Sequence, residues 1–248
     1  HGRGNWARWP SGSHTTAHGC TRGRSSTRLN ARDLIRRGLS HIYDKSFLQE
    51  HRIKIFKGSQ VDYKFLDEIT GEIGDIDIIL HLAAGSHVDR SIDYPMEFVL
   101  DNVVGTANIL EYARFINDNN GLERFIYFST DEVFGPAPNG VDYKENDRYN
   151  STNPYSATKA GGEELAVAYE NTYKLPIYIT HTMNVFGERQ HPEKFIPMCI
   201  KKIRDGETIT VHSDKTKTIP GTRHYIHAED VAEAIYFLVK KDIKPEID

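Results

Sequence analysis

The chain has 248 residues, 31 basic against 35 acidic side chains for a net charge of −4, and 38% hydrophobic residues. That is enough apolar material for one α/β domain with a real core, or for such a domain plus a small second one, and the mixed signs carry no global signal for nucleic acid or a membrane surface. Cys20 and Cys199 fit no CxxC or zinc spacing and read as free thiols in a reducing compartment; no apolar run approaches spanning length or a secretory core, so a soluble cytoplasmic protein is expected.

From His1 to Tyr43 there is no lysine and no valine, one acid, Asp33, and eight arginines among Gly, Ser, Thr and His. Such a segment has too little apolar surface to offset the entropy of ordering it, so residues 1–44 are expected to be poorly ordered. A basic arm for nucleic acid and a metal pair at His14 and His18 are sharper readings of the same stretch. A polar terminal segment without chemistry is the plainer one.

From Arg52 the pattern is orderly. RIKIFKG reads as a short strand, VDYKFLDEI as one or two helical turns, IDIILHLAA as a buried strand and SHVDRSIDYP as a loop. MEFVLDNVVGTANILEYARFIND reads as one long helix with Gly105 inside it, and RFIYFS as the central strand. YSATKAGGEELAVAYENTY reads as a helix entered through Pro154, and LPIYITHT as a strand. FIPMCIKKIRDG and HAEDVAEAIYFLVKK are further helices, the last with Val231, Ala234, Ile235 and Leu238 on one side. Strands alternating with helices of this length imply βαβ units, a mostly parallel sheet and right-handed crossovers.

The chemistry-bearing residues begin where the central strand ends. Ser129, Thr130, Asp131 and Glu132 stand at its carboxyl end, where open parallel sheets place their ligands, although an acidic solvated turn would read the same way. Tyr155 and Lys159 are four apart and share a helix face. A nearby ammonium favours phenolate over phenol, which gives a general base for a sugar or alcohol hydroxyl. A surface pair has the same spacing; the STDE ahead of it argues for more. Adjacent carboxyl groups tend to split their pKa values, so one of the pair can keep its proton beside an ionised neighbour. His81 reads as a satisfied core histidine, and the other histidines show no ligand spacing, so no metal site is assigned.

In this order and at these spacings, HLAAGSHVDRSI, DNVVGTANILEYAR, STDEVFG, NPYSATKAGGEEL, NVFGERQHPEKFIP and RHYIHAED resemble the nucleotide-sugar dehydratases of the extended short-chain dehydrogenase/reductase group, over about Arg52 to Lys241. The resemblance implies an α/β, Rossmann-like, doubly wound parallel sheet. It puts an NAD-binding domain with the catalytic motifs over residues 45–182 and a partial substrate-binding portion over 183–248. It implies NAD that is reduced and reoxidised within each turnover, and a nucleotide-activated glucose as substrate, dTDP-glucose first and UDP-glucose left open. The implied product is a 4-keto-6-deoxy sugar.

By the same resemblance Tyr155 takes the proton of the sugar O4, and Lys159 holds the cofactor ribose and lowers the tyrosine pKa. Thr130 bonds O4, Glu132 removes the C5 proton and Asp131 protonates the departing O6. Leu82, Ala83, Ala84, Gly85 and Ser86 match the loop under the cofactor, with Val185 at its side and Ser86 also near the substrate. Asn184, Lys194, Phe195 and Arg223 match substrate contacts, although Lys194 and Arg223 alone would read as solvated charges. A homodimer built from the helix carrying Asn102 to Arg114 and the Tyr155 helix is also implied.

The chain departs from the family at both ends. Nothing in His1 to Ser40 supplies the GxxGxxG turn that offers backbone N–H groups to a pyrophosphate, Ser59 and Gln60 replace an acid near the adenine, and Gly85 stands where the family has glutamate. The SDKTKTIPGT stretch before Arg223 is longer than its counterpart, and the chain stops at Asp248, before the rest of a substrate domain. A fragment, or a chain whose first forty or so residues are not ancestral, is therefore expected. A 4-epimerase, a UDP-glucose 4,6-dehydratase and a silent relic that binds sugar nucleotide or a partner chain stay open beside the dTDP-glucose dehydratase.

Overall fold

The structure is a computed structural model that describes residues 54–138, 140–188, 190–211, 213 and 216–240. These fall into two compact units, one running to Thr180 and the other starting at His181. The expectations placed on residues 1–44, among them the absent glycine turn, the His14 and His18 pair and Cys20, lie outside the described residues.

The first unit opens with α1 (Tyr63–Ile73), started by the Asp62 carboxylate, which accepts the Lys64 backbone N–H at 3.1 Å. Next come β1 (Ile78–His81), α2 (Val88–Asp93) and one long helical run made of α3 (Pro95–Val99), a π segment over Leu100–Val104 and α4 (Gly105–Asn120). β2 (Arg124–Thr130) leads into a 3-10 turn over Asp131–Phe134, followed by α5 (Pro154–Tyr173) and β3 (Ile177–Thr182), whose last two residues already count with the second unit. The three strands pair in the order β1-β2-β3, with β1 parallel to β2 and His81 opposite Tyr127.

The central position of β2 explains its composition. A strand covered on both faces needs a near-continuous apolar run, and Phe125, Ile126 and Tyr127 are fully buried. Leu110, Ala113 and Ile116 of α4 and Ala166 of α5 close over Phe125 and Tyr127 in one core with Leu175 and Ile177. At about 1.5–3 kcal/mol for each large side chain, this burial is what holds the end of β2 against α5. Gly162 permits the approach: a Cβ there would run into the Tyr127 hydroxyl and the Asn102 carbonyl.

The second unit contains β4 (Asn184–Phe186) and β5 (Tyr225–His227), parallel with Asn184 opposite Tyr225, together with α6 (Phe195–Arg204) and α7 (Ala228–Lys240). Among the described residues, no helix is long and apolar enough to cross a membrane.

Several expectations need correction. Residues 54–58 are irregular rather than a strand: no described strand pairs with them, and a strand exists only as part of a ladder. The buried IDIILHLAA strand forms a ladder only over Ile78–His81, and Leu80 and Leu82 are exposed. The expected loop 86–95 contains α2, because the His87 side chain accepts the Arg90 N–H and Ser91 bonds back to the Val88 carbonyl. On α7 the inward stripe is Val231, Ala232, Ile235, Leu238 and Val239, and Ala234 is exposed. That i, i+1, i+4, i+7, i+8 stripe follows the 3.6-residue period.

Candidate active site

The site in the first unit is built where β2 ends and α5 begins. Asn153 starts α5: its Oδ1 accepts the Ser156 N–H at 2.8 Å while the Ser156 side chain closes the reciprocal capping box, and Pro154 occupies the first helical position. The Tyr155 N–H donates to Ser91 Oγ at 3.1 Å, which ties α5 to α2. Tyr155 is thereby fixed at the start of a rigid helix.

Opposite it, Thr130 caps the 3-10 turn by accepting the Glu132 N–H and reaches Asp131 Oδ1 at 3.3 Å. The Asn153 Nδ2 donates to Glu132 Oε2 at 3.3 Å, so one amide both caps α5 and holds the carboxylate. The Thr130 side chain also acts on the Tyr155 phenol, lowering it against the pull of burial. Gly135 ends the turn with φ +75, where a side chain would be strained and would strike the Asn150 carbonyl. Thr130, Asp131, Glu132 and Tyr155 are therefore brought together.

Tyr155 is pushed up to about 12, first by burial and then by the Glu132 and Asp131 carboxylates, with the Thr130 hydrogen bond working against the rise. Lys159, expected to act on this phenol, is not among the groups that set this value. It donates to the Phe128 carbonyl and lies 4.2 Å from the centroid of the Tyr127 ring. Lys159 itself is lowered to about 8 by burial, with Glu163 opposing the fall. Spacing shows which groups share a face, but not which partner a long side chain takes.

The loop after β1 is held from the helix. In the π segment, Asn102 accepts the Gly85 N–H at 2.7 Å and donates to the Gly85 carbonyl at 3.1 Å and to Thr158 Oγ1 at 3.0 Å. Wide π turns of this kind recur at functional sites because they re-aim a side chain. Gln60, also buried, donates to the carbonyls of Asp101 and Ala83, while its Oε1 has no partner among the described residues. Leu82 to Ser86 thus form a half-exposed ledge on a fixed backbone. His81 is a core histidine: its Nε2 is 3.0 Å from Thr106 Oγ1, and burial lowers it to about 3.

The remaining candidates belong to the second unit. Asn184 opens β4 and donates to the His224 carbonyl at 3.0 Å, next to Arg223; Val185 follows on the strand. Lys194 is the cap residue of α6 and Phe195 its first residue. Arg223 is exposed and bonds the Thr222 carbonyl. Asn102, Gln60, Asn153 and Glu163, the last bonded by the Ser129 hydroxyl, support the site without having been assigned a part in it from the sequence. For Asn153 the signal was present, as Asn-Pro three residues before a serine. Among the described residues, no three His, Cys, Asp or Glu side chains gather as a metal site.

The family model described as GDP-mannose 4,6 dehydratase matches residues 11–246. The chain belongs to that family. The match starts inside the Arg-, Gly- and Ser-rich stretch, well before the first motif. A dTDP-D-glucose 4,6-dehydratase of Dictyostelium discoideum is 37% identical over 204 residues, 78% of this chain and 45% of the relative. The dTDP-glucose 4,6-dehydratase of Escherichia coli is 38% identical over 184 residues, covering 68% and 50%. This chain therefore spans about half the length of these family members. The crystal structure of DesIV, a dTDP-glucose 4,6-dehydratase from Streptomyces venezuelae with NAD and TYD bound, superposes with a TM-score of 0.66 at 34% identity, covering 75% of this chain and 54% of that one.

Proposed function

We propose that this chain carries the catalytic residues of an NAD-dependent dehydratase acting on a nucleotide-activated glucose, dTDP-glucose first, and giving the 4-keto-6-deoxy sugar. The observation that carries the proposal is the meeting of a phenol with two adjacent carboxylates and a hydroxyl: Thr130, Asp131 and Glu132 stand at the end of β2, and Glu132 is held by Asn153, the cap of the helix on which Tyr155 stands two residues later, so that both carboxylates raise the phenol. In the proposed roles Tyr155 takes the O4 proton as C4 is oxidised, and Thr130 bonds O4 beside the developing carbonyl. The ketone acidifies C5, Glu132 takes the C5 proton, and Asp131 protonates O6 as it leaves as water.

The described residues fit the nicotinamide and ribose half of the dinucleotide. Ala83, Ala84 and Gly85 present small side chains on a backbone that Asn102 holds, and Tyr155 and Lys159 stand at the neighbouring strand end. Leu82, Ser86 and, from the second unit, Val185 complete the proposed cofactor set. When bound, the cofactor supplies the hydride acceptor and donor and a positive charge that lowers Tyr155. Asn184, Lys194, Phe195 and Arg223 are proposed to hold the substrate, a guanidinium being suited to bidentate phosphate contact. A second copy pairing through the helical run that carries Asn102 to Arg114 and through α5 suits the exposed Val104, Phe115 and Tyr173. The proposed setting is the cytoplasm, whose reducing conditions suit the free Cys199.

The test is incubation of the purified chain and NAD with dTDP-glucose and UDP-glucose, followed by mass analysis. Loss of one water from either sugar supports a dehydratase and names the base. Unchanged mass with a new stereoisomer makes it an epimerase, and an unaltered sugar contradicts the activity.

A further inference from the structure

Tyr155, Lys159 and Glu163 stand at successive i+4 positions of α5 and therefore line one helix face. The activity described above uses the first two. Glu163 is 2% exposed and Lys159 4%, so a carboxylate and an ammonium lie buried one helical turn apart. Both Glu163 oxygens are occupied: Ser129 Oγ donates to Oε2, and the Tyr149 hydroxyl donates to Oε1 at 2.5 Å. Lys159 in turn donates to the carbonyl of Phe128, the residue beside Ser129. The two side chains are pinned to consecutive residues at the end of β2, from the same helix.

We infer that Glu163 is a positioning residue for Lys159: anchored by Ser129 and Tyr149, its carboxylate is the fixed counter-charge that keeps the lysine protonated and oriented at the end of β2. A buried charge is costly unless it is paired, and a neutral residue could fill the same space, so what distinguishes this carboxylate is its charge. The other groups facing Lys159 do not supply one. His81 on β1 is held neutral by a value lowered to about 3, and burial pushes Tyr127 on β2 upward and keeps it a phenol. Tyr155, one turn back on α5, is raised to about 12. Around Glu163 itself, Tyr149 is raised by burial and by that same carboxylate, with Glu164 next to it. Burial lowers Lys159, and Glu163 is the charge that opposes the fall.

The kinetic consequence of this inference rests on the dehydratase proposal; the electrostatic one does not. The experiment is a carbon-13 NMR titration of the 248-residue chain labelled at lysine Cε, with Lys159 assigned by its loss in Lys159→Arg. In Glu163→Gln the Lys159 midpoint is expected to fall by roughly one unit or more from its value in the unsubstituted chain, as removal of an adjacent opposite charge requires. Glu163→Asp, which keeps the charge, is expected to restore most of it. An unchanged midpoint in Glu163→Gln overturns the inference. If that variant does not fold, a midpoint in Glu163→Asp lowered by a full unit overturns it and a retained midpoint supports it. With sugar nucleotide and NAD, the alkaline limb of the oxidation rate in Glu163→Gln should move to lower pH by the same amount. A chain that oxidises no sugar nucleotide defeats the dehydratase proposal and leaves the titration to decide this one.

Discussion

The two units differ in how their proposed functional side chains are supported. Among the described residues, every buried apolar side chain except Ile235 lies in the first unit, and its site residues rest on that core through Asn102, Asn153, Ser91 and Thr130. In the second unit α6 has no buried residue, Ile200 and Ile203 are exposed, and Arg223 and Phe195 are presented from an open surface. Reacting groups need fixed geometry and desolvation, which a packed strand end gives; contacts to a charged, flexible ligand can be made from looser chain. Substitutions in the first unit should therefore act on the chemical step and on stability, and those in the second on substrate affinity.

The largest effect is expected for Tyr155→Phe, which removes the phenol and leaves the helix and its caps intact. Turnover should drop about 10³-fold, in the range for loss of a positioned acid or base, with the melting temperature unmoved. An equal loss of folding would break the contrast between chemistry and scaffold. Glu132→Gln should slow elimination by roughly 10²–10³-fold and leave the first oxidation, so that the absorbance of reduced nicotinamide builds up on mixing with the sugar. If oxidation and elimination fall together, the two carboxylates do not divide the work.

Some of this was legible in the chain itself. The strand-end STDE, the Tyr155 and Lys159 spacing and the alternation of strands and helices are local patterns, and the structure contains the corresponding elements. Asn102 and Glu163 were not legible because their roles depend on partners far along the chain: Asn102 meets Thr158 across 56 residues, and Glu163 meets Ser129 across 34. The rise of Tyr155 was missed for a related reason. An i+4 ammonium is visible in a sequence, but burial, and a competing carbonyl at Phe128 that holds the ammonium, are not.

Those hidden supports give the next predictions. Asn102→Ala leaves the Gly85 N–H and carbonyl without their partner and takes from the Thr158 hydroxyl the bond it accepts, and should cost about 2–3 kcal/mol in denaturant unfolding. A cost near zero would mean that the ledge after β1 is held by something else. Lys159→Met should move stability in the opposite direction. The folded-state value of about 8 lies below the ordinary 10.5, so the folded chain holds this proton less tightly than the unfolded one. The penalty is full below pH 8 and fades as pH rises toward 10.5. Removing the charge should add about 1–2 kcal/mol at pH 7, less than the full shift implies because the Phe128 carbonyl loses its donor and Glu163 its counter-charge, and should abolish the rise in stability between those pH values. Catalysis should fall as stability grows. The smallest effect is expected in the second unit, where Arg223→Ala should raise KM about tenfold with kcat and melting temperature nearly unchanged, as for one lost charged contact to phosphate.

The most direct test of the central claim, that residues at the end of β2 and the start of α5 expel water from a hexose, is a single mass spectrum. The chain is incubated in deuterium oxide with NAD and dTDP-glucose or UDP-glucose, and the sugar product is isolated. The expected product is lighter than its substrate by one water and carries one solvent deuterium, located at C5, where Glu132 is proposed to take the proton. A product of unchanged mass, or a dehydrated one with no deuterium at C5, would contradict it.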